Sequence, residues 1–423
     1  MNTQSLSRRI FSGGRALLAL GAAALLPVCG ALASAVYTLN VGDPHRKDHQ
    51  VAPILDGIRD SRTGEVIDPA ELARRLEDAA YVLIGEDHTN MDFHQVQLQV
   101  IRALHTGGRT VVIGLEMFPY VDQPHLDQWS AGELSADEFL ARSQWYARWG
   151  YPWGYYRDIF AFARDHKLPM WGINAPRQTI SRVRQEGWDS LSEDDRAHLP
   201  PRIDTESEEH MALFKAYFQS DDAIHGPDAL PEAALRSMFE AQVSWDGVMA
   251  YNAVRARQAH PDAVVVVLAG GGHVAYGLGI ARQLAAWDDG RAALVMPVPV
   301  RLSDGTPLDR VQASYGDYLW GVPPVTDPVY PVLGLATMNR ENGVAVLDVE
   351  TDSTAHRAGV RAGDLIVTLN DQSVADRGAY ARIMAGLSWG DAVSLGLERD
   401  GSRLSMSAVL RRRESGRGQN PHE

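Results

Sequence analysis

The feature that most constrains this chain is an alternation, between Ala80 and Met296, of short continuous apolar runs with longer amphipathic stretches. Tyr81–Ile84, Thr110–Leu115, Pro169–Ile173, Ala263–Ala269 and Ala292–Met296 are aliphatic or β-branched, with no polar residue at every second place. Strands buried on both faces read this way, and the stretches between them are long enough for crossover helices. The expected fold is therefore α/β, a mostly parallel sheet with flanking helices. Val96, Val100, Ile101 and Leu104 recur at helical spacing after the first run, and Gly107-Gly108 ends that helix before the next. From Gln178 to His260 no comparable run occurs. Apolar residues there, such as Leu213, Phe214 and Tyr217, then Leu235, Met238 and Phe239, fall at helical spacing. This segment is expected to be a helical insertion, broken near Pro200-Pro201 and Gly226-Pro227.

Prolines then accumulate, from Pro297 and Pro299 through Pro307, Pro323, Pro324 and Pro328 to Pro331, without any sustained period. This reads as a seam, with residues 301–330 a linker between an α/β domain over 50–300 and a smaller α+β unit over 331–410. In the smaller unit Val344–Val349, Ile366–Leu369 and Ala392–Leu397 read as strands and Ala379–Leu387 as a helix. Residues 411–423 are polar and expected to be a disordered tail. Residues 1–35 read as an export signal. Ser7-Arg8-Arg9-Ile10-Phe11 has the spacing of a bacterial twin-arginine leader, Ala16 to Val28 is its apolar core, and Ala31-Leu32-Ala33 and Ala33-Ser34-Ala35 are cleavage sites. The expected destination is the periplasm or cell envelope. Leu26-Pro27-Val28-Cys29 has the outline of a lipid-attachment box, but Val28 is bulky where a small residue is wanted.

Cys29 is the single cysteine, so a disulfide framework, a multi-cysteine zinc site and an iron–sulfur cluster are excluded. A formal charge of −14 argues against nucleic acid as the main partner, because phosphate binding needs a basic face. Chemistry must then rest on oxygen and nitrogen, and in parallel sheets ligands sit beyond the carboxyl ends of the strands. Those ends read Gly85-Glu86-Asp87-His88, Gly114-Leu115-Glu116-Met117-Phe118, Asn174-Ala175-Pro176-Arg177 and Ala269-Gly270-Gly271-Gly272-His273-Val274. Glu86, His88, Glu116 and His273 are expected to converge. Two histidines and two carboxylates suit zinc, manganese or iron, or, without metal, a general base with its orienting acid. The same residues would also serve as helix caps at a sheet edge. The three glycines before His273 allow backbone N–H groups to approach an anion such as a carboxylate, or form a tight turn. Residues 145–156 (WYARWGYPWGYY) are dense in aromatics, fit to cover a flat apolar ligand or to pack a core.

Taken in order, Gly85-Glu86-Asp87-His88 with Asp92 and His94, Gly114 to Pro119, Gly150-Tyr151-Pro152-Trp153, Asn174 to Arg177, Trp245-Asp246 and Ala269 to Val274 resemble the ChaN family. These are haem-binding proteins linked to bacterial iron uptake, within the Tiki/erythromycin-esterase-like superfamily. The resemblance implies haem held by a tyrosine, often between two copies in a dimer, with Tyr151 and Tyr276 the candidates here. Residues expected to meet the cofactor are Glu86, His88, His94, Glu116, Tyr151, Arg177, Gly271, His273 and Tyr276. It also implies kinship with hydrolases in which Glu86, His88, Glu116 and His273 would act in catalysis or bind a divalent metal. The chain departs from the family pattern with glycine at Gly271 in place of serine and Ala281 in place of proline.

Residues 331–410 resemble a PDZ domain. Leu333-Gly334-Leu335 is like its carboxylate-binding loop, and Ala358 to Ile366 with Asn370 is like the turn and strand of exported bacterial PDZ modules. Such a domain captures a chain terminus by strand addition. Two readings follow. One is an exported haem-binding protein of iron acquisition, docked by its PDZ domain to an envelope protein or a peptide C-terminus. The other is a metal-dependent hydrolase or peptidase whose PDZ domain presents substrate termini.

Overall fold

The computed structural model describes residues 35–186, 191–221, 231–303, 305–324 and 328–412. Most of the export signal, the Gly226-Pro227 break and nearly all of the polar tail lie outside the described residues. Among the described residues no helix is long and apolar enough to cross a membrane.

The first unit is built on eight strands: β1 (Ile58–Asp60), β2 (Val66–Ile67), β3 (Tyr81–Glu86), β4 (Thr110–Pro119), β5 (Met170–Asn174), β6 (Ala263–Gly270), β7 (Ala292–Pro299) and β8 (Tyr318–Val322). Their order is β2-β1-β8-β7-β3-β6-β4-β5. From β8 to β5 every neighbouring pair is parallel, and β1 and β2 add antiparallel at one edge. The five apolar runs are thus adjacent strands of one sheet. Alternate residues of each strand supply opposite cores, as the two-residue period of a strand requires. Val82, Ile84, Val264, Val266 and Leu268 pack with Val96, Val100, Ile101 and Leu104 of helix α1 (Met91–Thr106). Tyr81, Leu83, Val265 and Val267 pack on the other face with Met249, Ala250 and Ala253. Helix α1 is capped by Asn90, which accepts from the Asp92 N–H, and closes at Gly107.

Five further helices matter here: α2 (Trp145–Arg148), α3 (Arg157–Asp165), α4 (Arg177–Glu186), α5 (Glu208–Asp221) and α6 (Glu232–Ala259). The last three belong to the helical insertion expected between Gln178 and His260, which carries no strand among its described residues.

The linker expected over 301–330 is corrected. Its residues 318–322 form β8, wholly buried and paired in parallel with β7 from Tyr318↔Val295 to Val322↔Pro299. The run is only five residues and sits among prolines, so periodicity had nothing to register. Pro297 and Pro299 are tolerated inside β7 because its pairing with β3 ends at Val295. Beyond that point β7 has no partner on the β3 side to need their missing N–H groups. The α/β unit also begins before residue 50. Val36 and Val41 are buried in its core, and the Arg46 guanidinium lies 3.0 Å from the Asp317 carboxylate.

The second unit is an antiparallel sheet in the order β9 (Leu335–Arg340), β10 (Gly343–Val349), β11 (Leu365–Leu369), β12 (Ala392–Arg399) and β13 (Ser402–Val409), with helix α7 (Arg377–Met384). Residues 402–409, unnoticed in the sequence, alternate between exposed and half-buried, with small polar residues on the outer face.

Candidate functional site

Parallel pairing sets the site. Glu86 at the end of β3 is in register with Gly270 of β6, and Glu116 follows the last β4–β6 pair, Leu115↔Leu268. The carboxyl ends of three adjacent strands therefore deliver Glu86, Gly270 and Glu116 to one place. His88 and His273 follow two of those ends. As expected, the four polar residues are brought together, and each is mostly closed off from solvent. Side-chain exposures are 0 % for Glu86, 13 % for His88, 10 % for Glu116 and 11 % for His273.

Around Glu86 the donors are all internal. His88 Nδ1 lies 2.6 Å from Oε1, the Tyr156 hydroxyl donates to Oε1 at 2.7 Å, and Gln97 Nε2 donates to Oε2 at 2.5 Å. Burial alone would raise this carboxyl, but His94, His88 and Tyr156 outweigh it and pull Glu86 down to about 2. Burial likewise works against a charged His88, yet Glu86, Glu116 and Asp87 raise it. The His88 ring packs against Trp149 at 4.8 Å and Tyr151 at 5.0 Å.

The second cluster centres on His273. Its Nδ1 is 2.6 Å from Asp246 Oδ1 and its Nε2 is 3.4 Å from Glu116 Oε1. Burial opposes the charge, but Glu116 and Asp246 overcome it and raise His273 to about 10, so the ring is an imidazolium at neutral pH. Glu116 is held below its ordinary value against burial by His273, by His88 and by the Gly270 N–H, which donates to Oε2 at 2.6 Å. Asn174, at the end of β5, donates to the Glu116 carbonyl at 2.9 Å, so a fourth strand end joins the cluster.

Several expectations are corrected by these contacts. The metal set Glu86, His88, Glu116 and His273 does not form a chelate. Among the described residues no group of three or more His, Cys, Asp or Glu side chains could hold a metal ion. His94 does not face a cofactor. It is buried behind the site, with Nδ1 3.1 Å from Gln97 Oε1 and Nε2 3.2 Å from the His88 carbonyl, and its ring packs on Tyr156. Tyr276 is not a candidate iron ligand. Its hydroxyl donates to the Val36 carbonyl at 2.7 Å and accepts from the Leu39 N–H at 3.1 Å, so it anchors the N-terminal segment. The glycine run binds an anion, but that anion is the protein's own Glu116. Gly271 instead makes room for a phenol, since a Cβ there would fall 2.7 Å from the Tyr217 hydroxyl.

Tyr151 remains at the mouth of the site, half-buried beside His88 and Trp149. The Trp149 indole N–H is buried, and the Trp149 ring packs on both His88 and Tyr151. Arg177 stands at the start of α4 near Tyr151. Desolvation, then the like charge of Arg377, lower its guanidinium. These residues fit a flat apolar ring carrying carboxylates: aromatic faces for the ring, a phenol for its iron, a cation for its acid groups.

Gln97, Tyr156, Tyr217 and Gln242 were missed in the sequence. Two left a signal: Gln97 is one helical turn after His94, and Gln242, 3.0 Å from His273 Nδ1, is one turn before Asp246. Tyr156 was hidden among other aromatics, and Tyr217 is far from every motif.

Comparison with known proteins gives the following. A family model described as haem-binding uptake, Tiki superfamily, ChaN matches residues 72–284, and one described as PDZ domain matches residues 331–410. A probable periplasmic serine endoprotease, DegP-like, of Marinomonas sp. (strain MWYL1) is 33 % identical over 76 residues, 18 % of this chain and 16 % of that protein. The chain thus spans about a sixth of the curated relative it matches. Among solved structures, one titled cofacial heme binding to ChaN of Campylobacter jejuni aligns over 62 % of this chain and 95 % of that one, at 18 % identity and TM-score 0.49. The serine endoprotease from Yersinia pestis aligns over 21 % of this chain and 31 % of that one, at 20 % identity and TM-score 0.19.

Proposed function

We propose, from the premise that this chain belongs to the haem-binding uptake family of ChaN type in the Tiki superfamily and carries a PDZ domain, that it is an exported haem-binding protein of bacterial iron acquisition. The observation that carries the reading is the mouth of the strand-end site, where Trp149 packs edge-on and Tyr151 at a tilt against His88, with the Arg177 cation close to Tyr151. Bound haem supplies an iron centre and a flat apolar face. On this reading the Tyr151 phenol would hold the iron and Arg177 would pair with a propionate, while Glu86 holds His88 in place. The PDZ unit docks the protein by a partner's free C-terminus, taken as an added strand along β9 beside Leu333-Gly334-Leu335. Gly334 has a φ of +74°, and a Cβ there would sit 2.3 Å from the Ser353 Cβ, so the loop requires glycine.

The deciding experiment is a haem titration of the purified chain followed by absorbance. Saturable binding with a tyrosinate charge-transfer band is expected, and Tyr151→Phe is expected to abolish the band. A flat titration overturns the reading.

A second reading is favoured by one observation: His88 and His273 each direct Nδ1 at a carboxylate, the arrangement that orients a histidine for proton transfer. On that reading the protein is a hydrolase, with His88 as the proton-transferring group and the PDZ unit presenting substrate termini. Turnover of ester or peptide substrates that is lost in His88→Ala, together with a flat haem titration, is the result that selects it.

A further inference from the structure

We propose that the PDZ groove and the strand-end site are energetically coupled through the aromatic segment 145–156, so that capture of a free C-terminus changes the affinity of the site for haem. The inference rests on the haem-binding reading above.

The groove has two walls. One is β9, an edge strand whose partner, β10, lies on one side only, leaving the other edge open for strand addition. The other wall is α7, tied to the far end of β9 by the Arg377 N–H, which donates to Asn339 Oδ1 at 2.7 Å. The occupant this geometry takes is a chain terminus with a free carboxylate, seated at the Leu333-Gly334-Leu335 loop.

The opposite flank of α7 is pressed onto the α/β unit. A Cβ on Gly378 would fall 2.8 Å from the Ala147 Cα, so the two backbones touch with no side chain between them to yield. Ala147 lies in α2, and Trp149 follows it by two residues. The Trp149 ring packs on His88 at 4.8 Å and on Tyr151 at 5.3 Å. A second brace grips the same segment. Tyr330 packs edge-on against Tyr155 at 4.9 Å, and its phenol fills the space that a Cβ on Gly154 would need. Trp389 of the PDZ unit donates from its indole to the Pro328 carbonyl at 2.8 Å.

A peptide strand added to the open edge of β9 enters between β9 and α7. Close-packed contacts transmit small displacements, and the backbone contact at Gly378 passes any shift of α7 to α2 and thence to Trp149 and Tyr151. Binding free energies coupled in this way are reciprocal, and couplings of this kind typically change affinity by about 5- to 150-fold.

The test uses the full chain. A library of peptides with free C-termini is selected against it, and the tightest binder is the probe, with its C-terminal amide as control. The haem dissociation constant is measured with and without saturating peptide, and the peptide constant with and without haem. A change of about fivefold or more, equal in the two directions and absent with the amide, is expected. Unchanged constants overturn the coupling while leaving the haem-binding reading intact. A flat haem titration overturns both, and failure to select any carboxylate-dependent peptide overturns the coupling. Gly378→Leu, and independently Ala147→Glu on the facing helix, are expected to part α7 from α2 and remove the coupling, so that in each variant the haem constant is the same with and without peptide, whatever its value. A folded variant of either kind, checked by circular dichroism, that keeps the full coupling also overturns the inference.

Discussion

At the scale of single residues, the site is a set of charges that hold one another in place. His273, raised to about 10 against an ordinary value near 6.5, binds its proton more tightly folded than unfolded. Its contribution is fully present below about pH 6.5 and is lost as pH rises from there through 10. Glu86, lowered to about 2 from 4.5, contributes above about pH 4.5 and loses that contribution as pH falls toward 2. The urea midpoint of the apoprotein is therefore expected to be highest between about pH 4.5 and 6.5. In His273→Gln its alkaline decline is expected to flatten, and an unaltered decline would show that the imidazolium is not held as described. Tyr156→Phe removes one donor to a buried carboxylate and is expected to cost about 1–3 kcal/mol in urea unfolding. The residues at strand ends were legible because chemistry collects where apolar runs stop. Whether a histidine faces outward or inward was not: His94 and His88 are six positions apart, and only the fold puts one behind the other.

At the scale of elements, the long central strands were readable because strands buried on both faces admit no polar residue. The strand β8 was not readable, since five apolar residues among prolines carry no period. Its burial makes a clear prediction. Leu319 is fully buried within the core facing α6, so Leu319→Ala is expected to cost about 2–5 kcal/mol, measured as a drop in the urea midpoint. A linker residue would tolerate the same change within about 0.5 kcal/mol. Among helices, the aromatic segment divides its labour. Trp145, Trp153, Tyr155 and Tyr156 are core, Trp149 and Tyr151 face His88, and Ala147 meets the PDZ helix. Composition alone showed the density of rings and not this partition, because every third or fourth residue serves a different neighbour.

At the scale of the whole molecule, an α/β unit and a PDZ unit meet through the segment that borders the site. On the proposed haem-binding reading, sedimentation of the purified chain with and without haem is expected to show its mass doubling when haem is bound between two copies, and an unchanged mass would show one copy holding the cofactor. The route of the chain through the sheet bears on how such a protein can be made at all. Strand β8 pairs with β7 on one side and with β1 on the other, Tyr318 lying opposite Asp60. Synthesis must therefore run almost to the PDZ unit before the β1–β2 pair can join the parallel strands. Folding dominated by such distant pairings is slow, and until it finishes β7 offers an unprotected edge. A chain ended just before Tyr318 is expected to aggregate, and one ended after Pro324 to stay soluble, because β8 is the clasp that covers the edge of β7.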